Sequence, residues 1–323
     1  MAIEKNAPQV QGPRAIFGLP VEAQILFSNR KGTYKKSVEK RKTRLLAKVA
    51  CLRRFLDADE TILFLTTAGS PFSFLEEITT PHVLFVLMKR ALLVFTNKRI
   101  FHIPTKTDYG YRGSIAQIRY QDCNRLVVKR GRLVVEYRTD KKEKFLYIPW
   151  ADRAKLRQMQ IPAVAAGTPS PRPQRNPLCP RCTEMLTADT YACTSCGLEF
   201  KNKARALLYS VLLPGGGYFY TRRWVMGLLD GLFESYLLLV CLVGLGAWLM
   251  GDTRVLPGLV FFGLLLTMEK LMTVFHTHHA IGEFLPKDLQ QLAVGEPAPA
   301  PAVARPAPPE LRRAHLEDVL SVR

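Results

Sequence analysis

Apolar and polar positions near the amino end of the chain follow a helical pattern. Between Tyr34 and Leu56, apolar side chains recur with the period of an α-helix, and Lys and Arg occupy the opposite face. This pattern predicts a basic amphipathic helix over residues 30–57. Residues 1–29 show no sustained periodicity, so we expect a flexible amino terminus there.

Residues 58–160 change to short apolar runs separated by turn-like segments. The runs include ETILFLTT, HVLFVLM, ALLVFT, RIFHIP and RLVVEYR. Such a rhythm is typical of an antiparallel sheet that curls on itself. The segment that starts at Pro149 predicts a closing helix. The apolar run His82–Thr96 is too short for a membrane span of ~20 residues, and Lys89 and Arg90 interrupt it, so two adjacent strands are expected.

The last third of the chain predicts a membrane domain over residues 203–280. Two apolar segments, about 225–250 and 255–277, are long enough to cross a bilayer and are joined by the short turn GDTR. Residues 206–220 are shorter and are broken by PGGG. We therefore expect them to form an interfacial half-helix rather than a third span.

Two segments have the composition of linkers. Residues 161–177 are rich in Pro, Ala and Ser, and the tail 281–323 contains GEPAPAPAVARPAPPE. The first predicts a connection between domains. The second predicts a stiff tether that carries a short helical segment at the carboxyl end.

The net positive charge of the chain restricts the kinds of molecule that it is expected to bind. The chain has 46 Lys and Arg against 27 Asp and Glu, and much of the excess lies in residues 30–54. This balance favours nucleic acid, anionic lipid, or a membrane protein oriented by its basic residues. A solvated helix docked on the next domain is the simpler alternative. The candidate membrane-surface or polyanion contacts are Lys35, Lys36, Lys40, Arg41, Lys42, Arg44 and Lys48.

Four of the seven cysteines have the spacing of metal ligands. Cys179, Cys182, Cys193 and Cys196 form C-x2-C-x10-C-x2-C within residues 178–200. Four thiolates make a closed tetrahedral zinc site with no position for water, so we expect structural Zn²⁺, with iron as the alternative. The odd cysteine count argues against a disulfide framework. The other three, Cys51, Cys123 and Cys241, are expected to be apolar core or lipid-facing residues.

Basic residues also predict the orientation of the spans. Lys201, Lys203, Arg205, Arg222 and Arg223 precede the first span, whereas Arg254 alone lies in the connecting turn. The amino side should therefore be cytoplasmic. No secretory signal opens the sequence. We expect a multi-pass protein of the inner (cytoplasmic) membrane, with both termini in the cytoplasm.

Charged residues inside the predicted spans are candidates for a functional site. A charge at the bilayer centre costs roughly 2.5–3.5 kcal/mol. The candidate intramembrane polar cluster consists of Asp230, Glu234, Glu269 and Lys270. Pairing between helices at the interface is the simpler explanation. His276, His278 and His279 end the second span as interfacial residues or as metal ligands.

Three segments resemble known families. ALLVFTNKRIFHI followed by SIAQIRYQDCNRLVVKRGRLVVEYR resembles bacterial pleckstrin-homology-like domains. This resemblance implies a seven-stranded, strongly bent sheet capped by one carboxyl-terminal helix. CPRC and CTSCG resemble the knuckles of short zinc ribbons, and SVLLPGGGYFYTRRWVMGLLDGL resembles a bacterial family of two-helix membrane hairpins of obscure function.

Together these features predict a multidomain, non-catalytic membrane protein. No Walker A loop, G-x-S-x-G or H-E-x-x-H motif is present. We expect an adaptor, anchored in the lipid bilayer, that binds protein partners and the anionic membrane surface. A membrane-tethered nucleic-acid-binding protein is the alternative, although TEMLTADTYA between the cysteine pairs has no Lys or Arg. A transporter or channel subunit would require a homo-oligomer, because two spans enclose no path.

Overall fold

The computed structural model describes residues 13–72, 88–158, 168–187 and 190–293. The described residues up to Asp288 form one compact unit, and a second unit begins at Leu289 and contains the short helix α8 (Gln290–Ala293). The Pro- and Ala-rich tether, most of the predicted strand HVLFVLM and the start of the predicted linker lie outside the described residues.

Two sheets form the centre of the first unit. The larger has seven strands in the order β1-β2-β3-β4-β5-β6-β10, and all neighbours are antiparallel except β2 and β3. These strands are β1 (Arg14–Ile16), β2 (Leu19–Val21), β3 (Ile62–Gly69), β4 (Arg90–Thr96), β5 (Arg99–Pro104), β6 (Ile115–Arg119) and β10 (Asn176–Leu178). The smaller, antiparallel sheet contains β7 (Cys123–Lys129), β8 (Arg132–Tyr137) and β9 (Lys142–Phe145).

Burial explains why these runs form strands. In β8 and β9, buried and outward positions alternate, as expected for a sheet with one covered face. In β4, every residue after Arg90 is buried, because side chains pack on both faces of the strand. Arg130 and Gly131 adopt positive φ angles of 44° and 81° and close the tight hairpin between β7 and β8.

Residues 14–27 form ordered structure rather than the flexible terminus predicted for residues 1–29. Strands β1 and β2 form a hairpin, and helix α1 (Ala23–Phe27) follows. Leu19 and Leu26 are fully buried in the common core. The sequence pattern did not reveal these elements, because segments of three to five residues are too short to show a period.

The predicted basic helix is shorter than expected. Helix α2 spans Lys36–Lys48, and a 3₁₀ turn follows at Ala50–Arg54. Leu46 and Leu52 bury this segment against the sheet. Helix α3 (Trp150–Gln158) follows the smaller sheet, where the closing helix was predicted.

The described part of the predicted linker packs against both sheets. Strand β10 pairs with β6, so it covers the edge of β6 and becomes the last strand of the larger sheet. The amide and hydroxyl groups of Ser170 donate to the two carboxylate oxygens of buried Asp122, at 2.6 and 2.9 Å. Arg175 forms an ion pair with buried Glu143 at 3.2 Å. Composition predicted a connection here, but it could not reveal that these two carboxylates require partners.

Four helices form a hairpin with a re-entrant turn. They are α4 (Lys203–Leu212), α5 (Gly216–Tyr220), α6 (Trp224–Leu249) and α7 (Leu256–Ile281). Helices α6 and α7 are long and apolar enough to cross a membrane, with mean hydropathies of 1.9 and 1.7 over their most apolar windows. Helices α4 and α5 are too short to span and flank the PGGG turn.

Exposed apolar side chains concentrate on this hairpin. Among the described residues, all but seven of the exposed large hydrophobic side chains lie between Leu207 and Leu271. Leu212 at the end of α4 is 66% exposed, and Leu249 at the end of α6 is 71% exposed. A continuous apolar surface of this kind is typical of helices that face lipid.

Hydrogen bonds join the two ends of the hairpin to each other and tie the hairpin to the loop between β5 and β6. The amide of Lys201 donates to the Leu285 carbonyl at 2.8 Å, and the amide of Lys287 donates to the Glu199 carbonyl at 2.9 Å. These bonds pair the segment before α4 with the segment after α7. Arg112 in the loop between β5 and β6 also donates to the carbonyl of Thr221 at 3.2 Å.

The turn of the hairpin depends on Gly215. Its φ of 65° is left-handed, and an added Cβ would overlap the carbonyl oxygen of Gly227 on α6. We predict that Gly215→Ala unfolds the hairpin, because overpacking of about 1–3 kcal/mol adds to the strain of the left-handed backbone. Thermal unfolding of the purified protein in detergent measures this loss.

Gly251 provides the matched control for this prediction. It also has a positive φ, of 96°, but a Cβ there meets no atom within 4 Å. Gly251→Ala should therefore cost only the backbone strain, about 1–2 kcal/mol. Equal losses for the two variants would contradict the proposed close packing of the turn against α6.

Candidate functional site

The four cysteines of the predicted metal site converge immediately after β10. The Sγ atoms of Cys179 and Cys196 are 3.6 Å apart, and those of Cys182 and Cys193 are 3.4 Å apart. All four Sγ atoms lie within 4.8 Å of one another. A tetrahedral ion with metal–sulfur bonds of about 2.3 Å requires sulfur separations of about 3.8 Å. The four cysteines could therefore bind a metal ion such as zinc.

The two cysteine pairs have the same backbone geometry. The Cys179 carbonyl accepts from the Thr183 amide at 3.0 Å, and the Cys193 carbonyl accepts from the Gly197 amide at 2.9 Å. Both donors have left-handed φ angles, 66° and 71°. Each turn therefore directs two thiols toward a common point. A positive φ is expected for Gly197 but is costly for the β-branched Thr183.

The site has the chemistry of a structural centre. Cys179 and Cys193 are buried, whereas Cys182 and Cys196 are partly exposed. Burial raises the pKa of the Cys179 thiol, so a bound metal ion has to displace a proton there. Four sulfur ligands complete a tetrahedron and leave no position for a substrate.

The repeated geometry predicts opposite effects of two substitutions. Thr183→Gly should stabilise the metal-loaded protein by about 1 kcal/mol, because glycine adopts the left-handed backbone without strain. Gly197→Thr should destabilise it by about 1–2 kcal/mol, since open space around Gly197 leaves strain as the only cost. Competition with a chelator measures both effects. The same sign for both variants would contradict the equivalence of the two turns.

The charged residues predicted inside the spans also come together. Glu234 on α6 is 1% exposed, and its Oε2 accepts from the ammonium of Lys270 on α7 at 2.7 Å. The same oxygen accepts from the amide of Gly215 at 2.9 Å. Lys270 also donates to the carbonyl of Ser210 at 3.0 Å. One ion pair therefore joins α4, the re-entrant turn and both long helices.

Two further carboxylates adjoin this pair. Oxygens of Asp230, Glu234 and Glu269 lie within 4.8 Å of one another, as in groups that could hold a metal ion. The hydroxyl of Thr273 donates to Asp230 Oδ2 at 3.1 Å. Three carboxylates against the single ammonium of Lys270 give this group a formal excess of negative charge when all are ionised.

Sequence spacing identified the charges of this cluster but not all of its partners. Asp230 and Glu234 are four residues apart on one helix face, as predicted. The contributions of Ser210, Gly215 and Thr273 were missed, because a carbonyl, an amide and a hydroxyl carry no charge in the pattern. The PGGG motif was the one signal that a turn approaches the spans.

The histidines at the end of α7 lie outside the carboxylate group. Among the described residues, no histidine belongs to a cluster that could hold a metal ion. His276 is buried, and its Nδ1 lies 2.7 Å from the hydroxyl of Tyr218 on α5. This contact ties the end of the second long helix to the re-entrant segment.

Removing one partner of the buried ion pair between Glu234 and Lys270 should destabilise the protein. Lys270→Met leaves the Glu234 carboxylate without its counter-charge, so we expect a loss of about 3 kcal/mol. The double variant Glu234→Gln with Lys270→Met should lose less stability than the sum of the two single variants. A double-mutant cycle on thermal unfolding in detergent measures this coupling. The control is Lys287→Met, whose partner Glu199 is exposed, and which should cost less than about 1 kcal/mol. Strict additivity of the two changes would show that the pair does not couple.

The seven basic residues predicted as a contact surface fall into three groups. Four are exposed and form no ion pair among the described residues: Lys35, Lys36, Lys40 and Arg44. Arg41 and Lys48 are exposed but pair with Asp152 and Asp108, each at 3.1 Å. Lys42 is 1% exposed and pairs with Asp152 at 3.0 Å. It therefore holds α2 to α3 and is not available to a membrane or a polyanion.

A buried histidine in the larger sheet was missed by sequence reasoning. The guanidinium of Arg175 lies 3.1 Å from His102 Nδ1, and Ser70 Oγ lies 2.9 Å from Nε2. Arginine only donates, so Nδ1 accepts and the single proton of a neutral ring lies on Nε2. Burial and the charge of Arg175 lower the pKa of His102 well below its usual range. His102 thus donates to Ser70 and does not activate it as a nucleophile.

The chain was compared with protein families, curated proteins and solved structures. No protein-family model matches the chain, and no curated protein matches it. Among solved structures, the crystal structure of the C-terminal domain of an unknown protein from Leishmania infantum is similar over 38% of this chain and 96% of that chain. The identity is 12% and the TM-score is 0.24, too low to support an argument on fold or function.

Proposed function

We propose that this protein is a non-catalytic adaptor anchored in the inner membrane. Helices α6 and α7 cross the bilayer, and the two sheets together with the cysteine site form a cytosolic head. The head binds protein partners, and the exposed basic face of α2 contacts anionic lipid. Zinc occupies the four-cysteine site as a structural ion.

The observation that carries this proposal is the set of hydrogen bonds at the base of the hairpin, including the bond from Arg112 in the loop between β5 and β6 to the Thr221 carbonyl. The bonds from Lys201 to Leu285 and from Lys287 to Glu199 connect the segment that follows the cysteine site to the segment that follows α7. A head on a flexible tether would lack such bonds. A head held at a fixed height and angle is what an adaptor at a membrane requires.

The cysteine site supports this role as a rigid connector. It begins directly after β10, and only a few residues separate its last cysteine from α4. Some 20 residues cannot form a hydrophobic core of useful size, so a bound ion replaces that core. The metal centre then transmits the position of the hairpin to the sheet.

We infer a pleckstrin-homology-like head from the succession of β3 to β9 followed by α3, to which β1, β2 and β10 are added in the larger sheet. Four antiparallel strands (β3 to β6) and three further strands (β7 to β9) pack together, and α3 follows. Seven strands and one closing helix are what the resemblance to pleckstrin-homology-like domains implies. The buried tautomer of His102 supports a non-catalytic head, since the Ser70 hydroxyl has no base there.

The charge distribution supports the orientation. Arg112, Lys201, Arg222 and Arg223 lie where the hairpin meets the head, whereas Arg254 lies in the turn at the far end of the spans. An excess of basic residues on one side places that side in the cytoplasm. The exposed Lys36, Lys40 and Arg44 on α2 are then available to anionic headgroups.

Site-specific photo-crosslinking in cell membranes tests the adaptor function. A photoreactive amino acid at Phe17 or Met185, both exposed on the head, should give discrete protein adducts in the membrane fraction. The same amino acid at Leu239, which is 60% exposed on α6, is the matched control and should react with lipid. Adducts of one mass at both head positions would identify a single protein partner.

Two results would contradict the proposal. Recovery of the intact protein in the aqueous fraction would show that α6 and α7 do not anchor it in a membrane. Head adducts that nuclease digestion abolishes would support the alternative, a membrane-tethered nucleic-acid-binding protein. Because these readouts are independent, the anchor and the kind of partner are tested separately.

A further inference from the structure

A cavity in the head has no role in the adaptor function. It has a volume of about 730 Å³ and lies between α2, α3 and the loop 28–35. Phe64 of β3 contributes to its apolar wall. Sites for small molecules typically have volumes of roughly 300–1,000 Å³. The cavity is therefore large enough to enclose part of a small ligand.

The walls of this cavity carry an excess of positive charge. Asp152 is the one acidic residue among the described residues that line it. The basic lining residues are Arg30, Lys31, Lys35, Arg41, Lys42 and Lys155. The lining therefore has a formal excess of five positive charges.

Asp152 is already fully engaged. Its Oδ1 accepts from Lys42 at 3.0 Å and from Arg41 at 3.1 Å. Its Oδ2 accepts from the hydroxyl of Thr66 at 2.8 Å. One carboxylate can neutralise no more than one of these cations, so most of the positive charge in the cavity has no counter-ion within the described part of the chain.

Lys155 illustrates this imbalance at the cavity wall. Lys155 is only 8% exposed, but its ammonium has no charged partner among the described residues. It donates to the carbonyl and hydroxyl oxygens of Ser28, at 2.8 and 2.9 Å, and to the carbonyl of Ile25. Burial and the charge of Lys42 lower the pKa of Lys155 to about 8. A bound anion would offset both effects.

Two further features suit an anion. The guanidinium of Arg30 lies 4.2 Å above the ring of Trp150, which fixes its plane and leaves its N–H groups available. No side chain caps the amino end of α2, and Lys35 and Ser37 from that end line the cavity. Free backbone amides at a helix amino terminus favour a negative ligand.

We propose that this cavity binds a phosphate monoester group. Such a group carries about −1.5 to −2 charge at pH 7 and three strong acceptor oxygens, which suits a lining of ammonium and guanidinium donors. Arg30 and Arg41 can each donate two N–H groups to phosphate, in the geometry that arginine favours. The phosphate belongs to a soluble ester or to a lipid headgroup such as phosphatidic acid.

This site is distinct from the lipid-facing surface of the adaptor proposal. Lys36, Lys40 and Arg44 are exposed on α2 and do not line the cavity. The inference does not rest on the adaptor function. Loss of phosphate binding would leave the anchor and the partner surface untouched.

Isothermal titration calorimetry on the full-length protein in phosphatidylcholine nanodiscs tests the inference. The soluble probe is glycerol phosphate, titrated at constant ionic strength, with tryptophan fluorescence, to which Trp150 contributes, as a second readout. Arg30→Ala with Arg41→Ala should weaken binding at least about tenfold, because each lost charged hydrogen bond contributes that much or more. Lys36→Ala with Lys40→Ala removes the same charge outside the cavity and should leave binding unchanged.

A second variant and a lipid arm complete the test. Lys31→Ala alters an exposed lining residue, keeps the Asp152 pairs intact and should weaken binding several-fold. Nanodiscs that contain phosphatidic acid should abolish glycerol phosphate binding if the natural source is a lipid, and should leave it unchanged if the source is soluble.

Three results would overturn the inference. One is the absence of a heat or fluorescence change with glycerol phosphate and with phosphatidic acid. Another is equal weakening by the two double variants, which would indicate general electrostatic attraction. The third is duplex DNA binding that requires Arg30 and Arg41, which would assign the cavity to nucleic acid.

Discussion

Buried charges need partners, and this constraint assembles segments that lie far apart in the chain. Lys42 and Asp152 join α2 to α3, which are separated in the chain by strands β3 to β9. Arg175 and Glu143 hold the segment that was predicted to be a linker against the smaller sheet. Glu234 and Lys270 couple the two long helices. A buried pair adds little net stability compared with well-packed apolar residues, but it excludes every arrangement in which one charge is left alone. These pairs therefore contribute mainly to the specificity of the fold.

The sequence predicted the elements with a strong period or a strict spacing. Helices α6 and α7 followed from long apolar runs, and the cysteine cluster followed from its spacing, because both signals are local. Strands β1, β2 and β10 could not be predicted, since three residues carry no period and their stability comes from distant neighbours.

Charge patterns were the least reliable guide to the candidate sites. Lys40 and Lys42 have similar neighbours in the sequence. Lys42 is buried because it pairs with Asp152, whereas Lys40 is exposed. His102 was missed for a related reason: its partners Ser70 and Arg175 are 32 and 73 residues away. Pairings of this kind depend on tertiary structure, and a single sequence does not reveal them.

The addition of β10 beside β6 constrains the order in which the larger sheet forms during synthesis. Until residues 168–178 leave the ribosome, β6 has an open edge and Glu143 lacks its guanidinium partner. The strands made earlier cannot complete their native packing before then. The next residues to emerge are the cysteines, and α4 of the hairpin begins at Lys203, seven residues after Cys196. In the membrane protein proposed above, maturation of the head therefore coincides with the start of membrane insertion.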